Sequence, residues 1–134
     1  MGTRNQADHL KIAASLKAQS LTGTANGTGI DTQGFSSITM VLDAGATGGT
    51  TPSFTMQMQE SDDNSVFTAI AAGDIGGGGQ LAAITGANDD TVYKRAYLGS
   101  KRYVRWAATA VSGTSPTFLA SASVILGKGH APVS

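Results

Sequence analysis

The chain contains no cysteine. That removes disulfides, thiolate metal sites and cysteine nucleophiles together, and with them the small disulfide-stapled secreted domain. Charge is scarce as well. Charged residues make up 13% of the 134, and the formal net charge is zero, against a usual share of about a quarter. Such a surface is weakly protected against association, so much of it is expected to be covered by neighbours. No apolar run approaches the length of a membrane span. The polar stretch Met1–Asp8 has no signal-peptide core, and Gln6 stands where a myristoylation motif wants Ser or Thr. Cytosolic synthesis and no membrane partner are the expectations. Histidine is limited to His9 and His130, both in presumed terminal arms, where a neutral-pH base would not be held in place. No catalytic constellation and no cofactor are expected.

What the chain does have is a pair of near-copies, Gly49-Thr50-Thr51-Pro52-Ser53-Phe54 and Gly113-Thr114-Ser115-Pro116-Thr117-Phe118. The same offset of 64 positions lays Met40 and Leu42 over Val104 and Trp106. Alternating runs flank both copies. Gly tolerates positive φ, and Pro fixes φ while giving up a ladder donor. The reading is two similar β-hairpins, each with its Gly-Thr-Thr/Ser-Pro segment as the connection and each Pro at a strand entrance.

Alternation organises most of the rest. Leu10 to Leu21 has strand period, preferred over the helix that its alanines would also suit. Met40 and Leu42, then Phe54, Met56 and Met58, then Val104, Trp106 and Ala108, then Phe118, Ala120, Ala122, Val124 and Leu126 form candidate core faces. Gln57, Gln59 and their alternating neighbours are expected to be wet or to touch a partner. Asp62–Ser65 and Gly86–Asp90 read as turns, and Gly73–Gln80 as a flexible excursion with Ile75 its one core residue. Seven or eight short strands with regular turn signals predict an all-β antiparallel sandwich of about eight strands, jelly-roll-like. The organisation expected is a polar arm over 1–9, a sandwich over 10–126 and a tail over 127–134.

Three clusters invite a chemical reading. Gly23–Gly29 lacks the Lys-Ser/Thr pair and helix of a phosphate loop. Glu60, Asp62 and Asp63 lack the spacing of a calcium loop, and turn chemistry accounts for them. The basic residues Lys94, Arg95, Lys101, Arg102 and Arg105 are five of the chain's nine, within twelve positions, with Tyr93, Tyr97, Tyr103 and Trp106 between them. Three explanations compete: contact with an acidic protein surface, a solvated hairpin edge that blocks sheet aggregation, and nucleic acid, which zero net charge disfavours.

Several segments carry a likeness to a known group. They are Gly29-Ile30-Asp31, Thr51-Pro52, Gln59-Glu60-Ser61-Asp62-Asp63-Asn64-Ser65, Gly99-Ser100-Lys101-Arg102-Tyr103-Val104-Arg105 and Gly129-His130-Ala131-Pro132-Val133. Over Ile30–Val133 the chain resembles small virion proteins of tailed bacteriophages, the capsid cement or decoration proteins. The resemblance implies a β-sandwich on the capsid exterior that bridges subunits of the major capsid protein. It implies neither cofactor nor catalysis, and it assigns no site residue. Self-association as a homodimer or trimer is expected, with arm, Gly-rich excursion and tail as candidate contacts. A neck, tail or fibre adaptor is the alternative. A carbohydrate-binding module is a second one, which requires Tyr93, Tyr97 or Tyr103 flat and exposed in a groove.

Overall fold

The computed structural model describes residues 10–128. The expected arm over 1–9 lies outside the described residues, as do 129–134 of the tail. Nine antiparallel strands run in chain order: β1 Leu10–Leu21, β2 Ala25–Asn26, β3 Ile30–Asp31, β4 Ser37–Ser61, β5 Thr68–Ala69, β6 Ile75–Gly76, β7 Ile84–Thr85, β8 Thr91–Tyr97 and β9 Tyr103–Gly127. The all-β, antiparallel, sandwich-like architecture expected from alternation is the one adopted.

Two strands of 25 residues, β4 and β9, dominate it. They pair with each other along their whole length, from Ser37 opposite Gly127 to Ser61 opposite Tyr103. Midway the ribbon bends. Its first half carries the Ser37–Ala44 part of β4 and the Phe118–Gly127 part of β9. These are flanked by β1 on the β9 side, and by β8 and then β6 on the β4 side. Its second half carries Ser53–Ser61 and Tyr103–Ser112, flanked by β2 and β3 on β9 and by β5 and β7 on β4. One hydrogen-bonded sheet thus folds into two layers, with the corner made by strands that pass from one layer to the other.

The corner is where the near-copies lie, and the hairpin reading is corrected there. Neither Gly-Thr-Thr/Ser-Pro segment joins two strands of a hairpin. Both sit inside long strands and face each other, Thr50 opposite Thr114, amid register shifts. Gly49 and Thr51 have φ of 93° and 48°, and Gly113 and Ser115 have 113° and 49°. Left-handed residues that would close a turn here bulge and bend a ribbon instead. The two Gly residues have no substitute: a Cβ on Gly49 would lie 2.4 Å from the Ser115 carbonyl oxygen, and one on Gly113 would lie 2.7 Å from that of Thr51. The offset survives as a local twofold between Thr50 and Thr114. Phe54 and its counterpart Phe118 meet near it, ring centroids 5.2 Å apart and planes tilted by 42°.

The core fills the space between the layers. Met40, Leu42, Phe118, Val124 and Leu126 from the first layer meet Phe54, Met56, Met58, Val104 and Trp106 from the second, all buried. The Trp106 indole donates to the Ser123 carbonyl of the other layer at 3.3 Å. Ser15 adds a second tie. β1 shifts register between Ala14 and Leu16, which turns Ser15 inward. Its Oγ accepts from the Trp106 N–H at 2.9 Å and donates to the Thr28 carbonyl at 2.9 Å.

The Gly-rich segment is anchored, contrary to the excursion expected. Ile75 is buried and Gly76 pairs with Ala96. Gln80 closes the far end: its Oε1 accepts from the Met58 N–H, and its Nε2 donates to the carbonyls of Met58 and Ile70. A side-chain amide thus stands in for a missing strand partner. At the other end of the chain, Gly127 pairs with both Leu10 and Ser37, so the last strand runs one residue into the expected tail.

Candidate functional site

The basic cluster does not form one hairpin edge. β8 pairs with β4 in the first layer, whereas the Tyr103 end of β9 belongs to the second. The segment between them crosses from layer to layer, held by the Leu98 N–H donating to the Asp74 carbonyl. The five candidate residues are divided accordingly. Lys94 is exposed on the outer face of the first layer. Arg95 folds over the glycines, its Nε donating to the Gly79 carbonyl at 3.0 Å.

Lys101, Arg102 and Arg105 do come together on the second layer. There they meet two others of the segments singled out in the sequence, Gly29–Asp31 and Gln59–Ser65. Arg102 grips Asp31 with two bonds, Nε to Oδ1 at 3.0 Å and an Nη to Oδ2 at 2.8 Å. Lys101 Nζ donates to Asp62 at 2.8 Å. Arg105 Nε donates to the Gln59 amide oxygen at 2.7 Å, and its guanidinium lies 4.0 Å from the centroid of the Phe67 ring. The 62–67 loop folds back across this face, close enough that Gly29 has Asn64 and Phe67 where a Cβ would be. Hence Gln59, expected to be wet or to touch a partner, is buried under the chain's own loop. Sequence alternation alone does not reveal a loop that lies over a strand's outer face.

The electrostatics follow the contacts. The Arg102 guanidinium and the Gln33 N–H hold the Asp31 carboxyl at about 2, well below its ordinary 3.8. The hydrogen bond that the Lys101 ammonium donates to the Asp62 carboxylate raises its pKa, and burial lowers that of the Arg105 guanidinium. The Tyr97 hydroxyl donates to Glu60 and accepts from the Lys101 N–H; burial first, and Glu60 second, push its ionisation up.

The three acids weighed for calcium are committed to protein donors. Glu60 takes Tyr97, Asp62 takes Lys101, and Asp63 accepts from the Ser65 and Val66 N–H groups and the Ser61 hydroxyl. Among the described residues no group of three or more His, Asp or Glu is placed to hold a metal. Asp89 is likewise held by Thr47, whose N–H and hydroxyl both donate to it at 2.7 Å, and the backbone bond first of all keeps its carboxyl below the usual range.

The aromatic platform a carbohydrate module requires is missing from this surface. Tyr97 is buried, the half-buried Tyr93 packs against the core with its hydroxyl donating to the Asn88 carbonyl, and the half-buried Tyr103 ring sits under Arg102 at 5.1 Å. The glycan reading loses its main support. A shallow groove of about 420 Å³ between Gln19, Asp43, Gly45 and Leu119 opens on the outer face of the first layer, and one of about 200 Å³ lies beside Asp62 and Lys101. Neither the family models, the curated proteins nor the solved structures with which the chain was compared gives a match.

Proposed function

We propose that the protein is a structural component of a phage virion that binds the capsid exterior and stabilises it by bridging subunits of the major capsid protein. The observation that carries the reading is the meeting of Gly29–Asp31, Gln59–Ser65 and Gly99–Arg105 in one knot. These are three of the segments by which the chain resembles capsid cement proteins, and the Asp31–Arg102, Asp62–Lys101 and Gln59–Arg105 contacts join them. A likeness at three separated places is then a likeness in one piece of tertiary structure. The knot's charges are spent on one another, which suits a rigid block better than a site that must receive a charged substrate.

The mechanism needs only geometry and copy number. A block that touches two or three subunits at once binds weakly at each and firmly overall. Because it binds the assembled shell and not free subunits, binding shifts the assembly equilibrium toward the shell. The test is to mix the full chain with shells built from the major capsid protein of the phage that encodes it. Electron micrographs should show added density over the whole shell, and coated shells should withstand heating longer. A single ring at the neck or tail would favour the adaptor reading. Bare shells would end both.

A further inference from the structure

Exposed apolar surface collects on the outer face of the first layer. Of six large hydrophobic side chains exposed among the described residues, Leu10, Ile12, Val92 and Leu119 lie there. Register places them. Ile12 stands opposite Ile125, which stands opposite Thr39, and Val92 stands opposite Asp43, while the intervening Met40, Leu42, Val124 and Leu126 turn into the core. Ala14, Ser121 and Ser123 keep the surface between them low. Four strands about 4.8 Å apart, roughly nine residues long at about 3.3 Å each, make a face on the order of 600 Å². One side of a standard protein interface is about 800 Å². Four exposed large hydrophobic side chains gathered on one such face, with Thr39, Ser121 and Ser123 between them, favour an interaction site there.

Charge selects the occupant. Across β9, β4 and β8 this face carries one acid, Asp43, and one base, Lys94, both exposed and neither in the ion pairs found among the described residues. They lie on adjoining strands, Lys94 opposite Val41 and Asp43 opposite Val92. The adjoining pair of opposite charges on β4 and β8 is its own complement; the exposed lysines of β1, Lys11 and Lys17, stand apart from that pair. A twofold axis between them lays Asp43 of each copy over Lys94 of the other, whereas a face of one sign would repel its copy. We propose that this face is the contact between two copies of the chain, stacked sheet on sheet, with Ile12, Val92 and Leu119 covered and two Asp43–Lys94 pairs made across the interface. The inference stands independently of the capsid reading.

Analytical ultracentrifugation of the full chain across micromolar concentrations tests it, with circular dichroism to confirm the fold. The wild type should sediment as a dimer. Asp43→Lys and Lys94→Asp should each weaken association by roughly tenfold or more, because each sets like charges face to face. Mixing the two variants should restore the dimer, since a pair of bases at these two positions then meets a pair of acids. Val92→Glu, at a position 64% exposed, should also give monomers and serves if either charge variant fails to fold. A monomeric wild type overturns the proposal, even if Val92→Glu then abolishes binding to capsid shells. A dimer indifferent to these substitutions, or variants that stay monomeric when mixed, overturns it too.

Discussion

Replacing Ser15 by alanine deletes one hydroxyl and strands one buried backbone group, the Trp106 N–H, while the carbonyl of the exposed Thr28 can turn to water. The Oγ accepts from Trp106 in the second layer and donates to the Thr28 carbonyl, and the residue is 4% exposed. A buried polar group left without a partner costs about 1–3 kcal/mol. With one such group stranded and no change in packing volume beyond one atom, the expected loss is about 1–3 kcal/mol. For a chain of this length that corresponds to a fall in Tm of roughly 3–12 °C. Urea unfolding followed through the fluorescence of Trp106, the one tryptophan, reads the change directly, and an unaltered slope confirms that the same surface is exposed on unfolding. Ser20→Ala is the control: it lies on the same strand but is exposed, and should shift stability by no more than about 0.5 kcal/mol. If Ser15→Ala behaves like Ser20→Ala, the hydroxyl does not join the layers and the reasoning fails.

Two further outcomes follow from the corner and the knot. Gly34→Ala meets only a positive φ, with open space around the new Cβ, and should cost about 1–2 kcal/mol. Gly113→Ala meets both a positive φ and carbonyl oxygens of Thr51 and Thr50 at 2.7 and 2.9 Å, so calorimetry should show a clearly larger loss; equal losses would mean that the facing bulges are not close-packed. Asp31 has its folded-state carboxyl depressed to about 2 from 3.8, so its contribution is complete above the ordinary value and is lost as pH falls through about 2. An NMR titration should place the Asp31 midpoint near 2 in the wild type and move it up toward 3.8 in Arg102→Gln; an unmoved midpoint would assign the depression to Gln33 instead.

Alternation made the fold class legible, along with the core faces of β4 and β9, because period-2 patterning is local and a buried layer enforces it. β1 was legible as a strand, but not the bulge that turns Ser15 in, since a register shift depends on the partner strand. The repeated Gly-Thr-Pro segments were legible as special backbone. Their use was not: left-handed glycine followed by proline closes a hairpin or kinks a long strand equally well, and what decides is a partner 64 positions away in the sequence. The basic cluster failed for a related reason. Lys94 and Arg105 are close in the chain, but the crossing at Leu98–Arg102 sends them to different layers, and the acids that meet Arg102 and Lys101 come from distant turns. Arg105 was singled out by charge, whereas its aromatic cover, Phe67, gave no signal of its own.

The central place of β9 has a consequence for how the molecule comes into being. β1, β2, β3 and β4 all take ladder hydrogen bonds from it, yet during synthesis it is the last of the nine to leave the ribosome. Until then the apolar face of β4 has no partner on that side and must wait, exposed to other nascent chains. Neither layer can close before β9 arrives, and both are completed by the same segment.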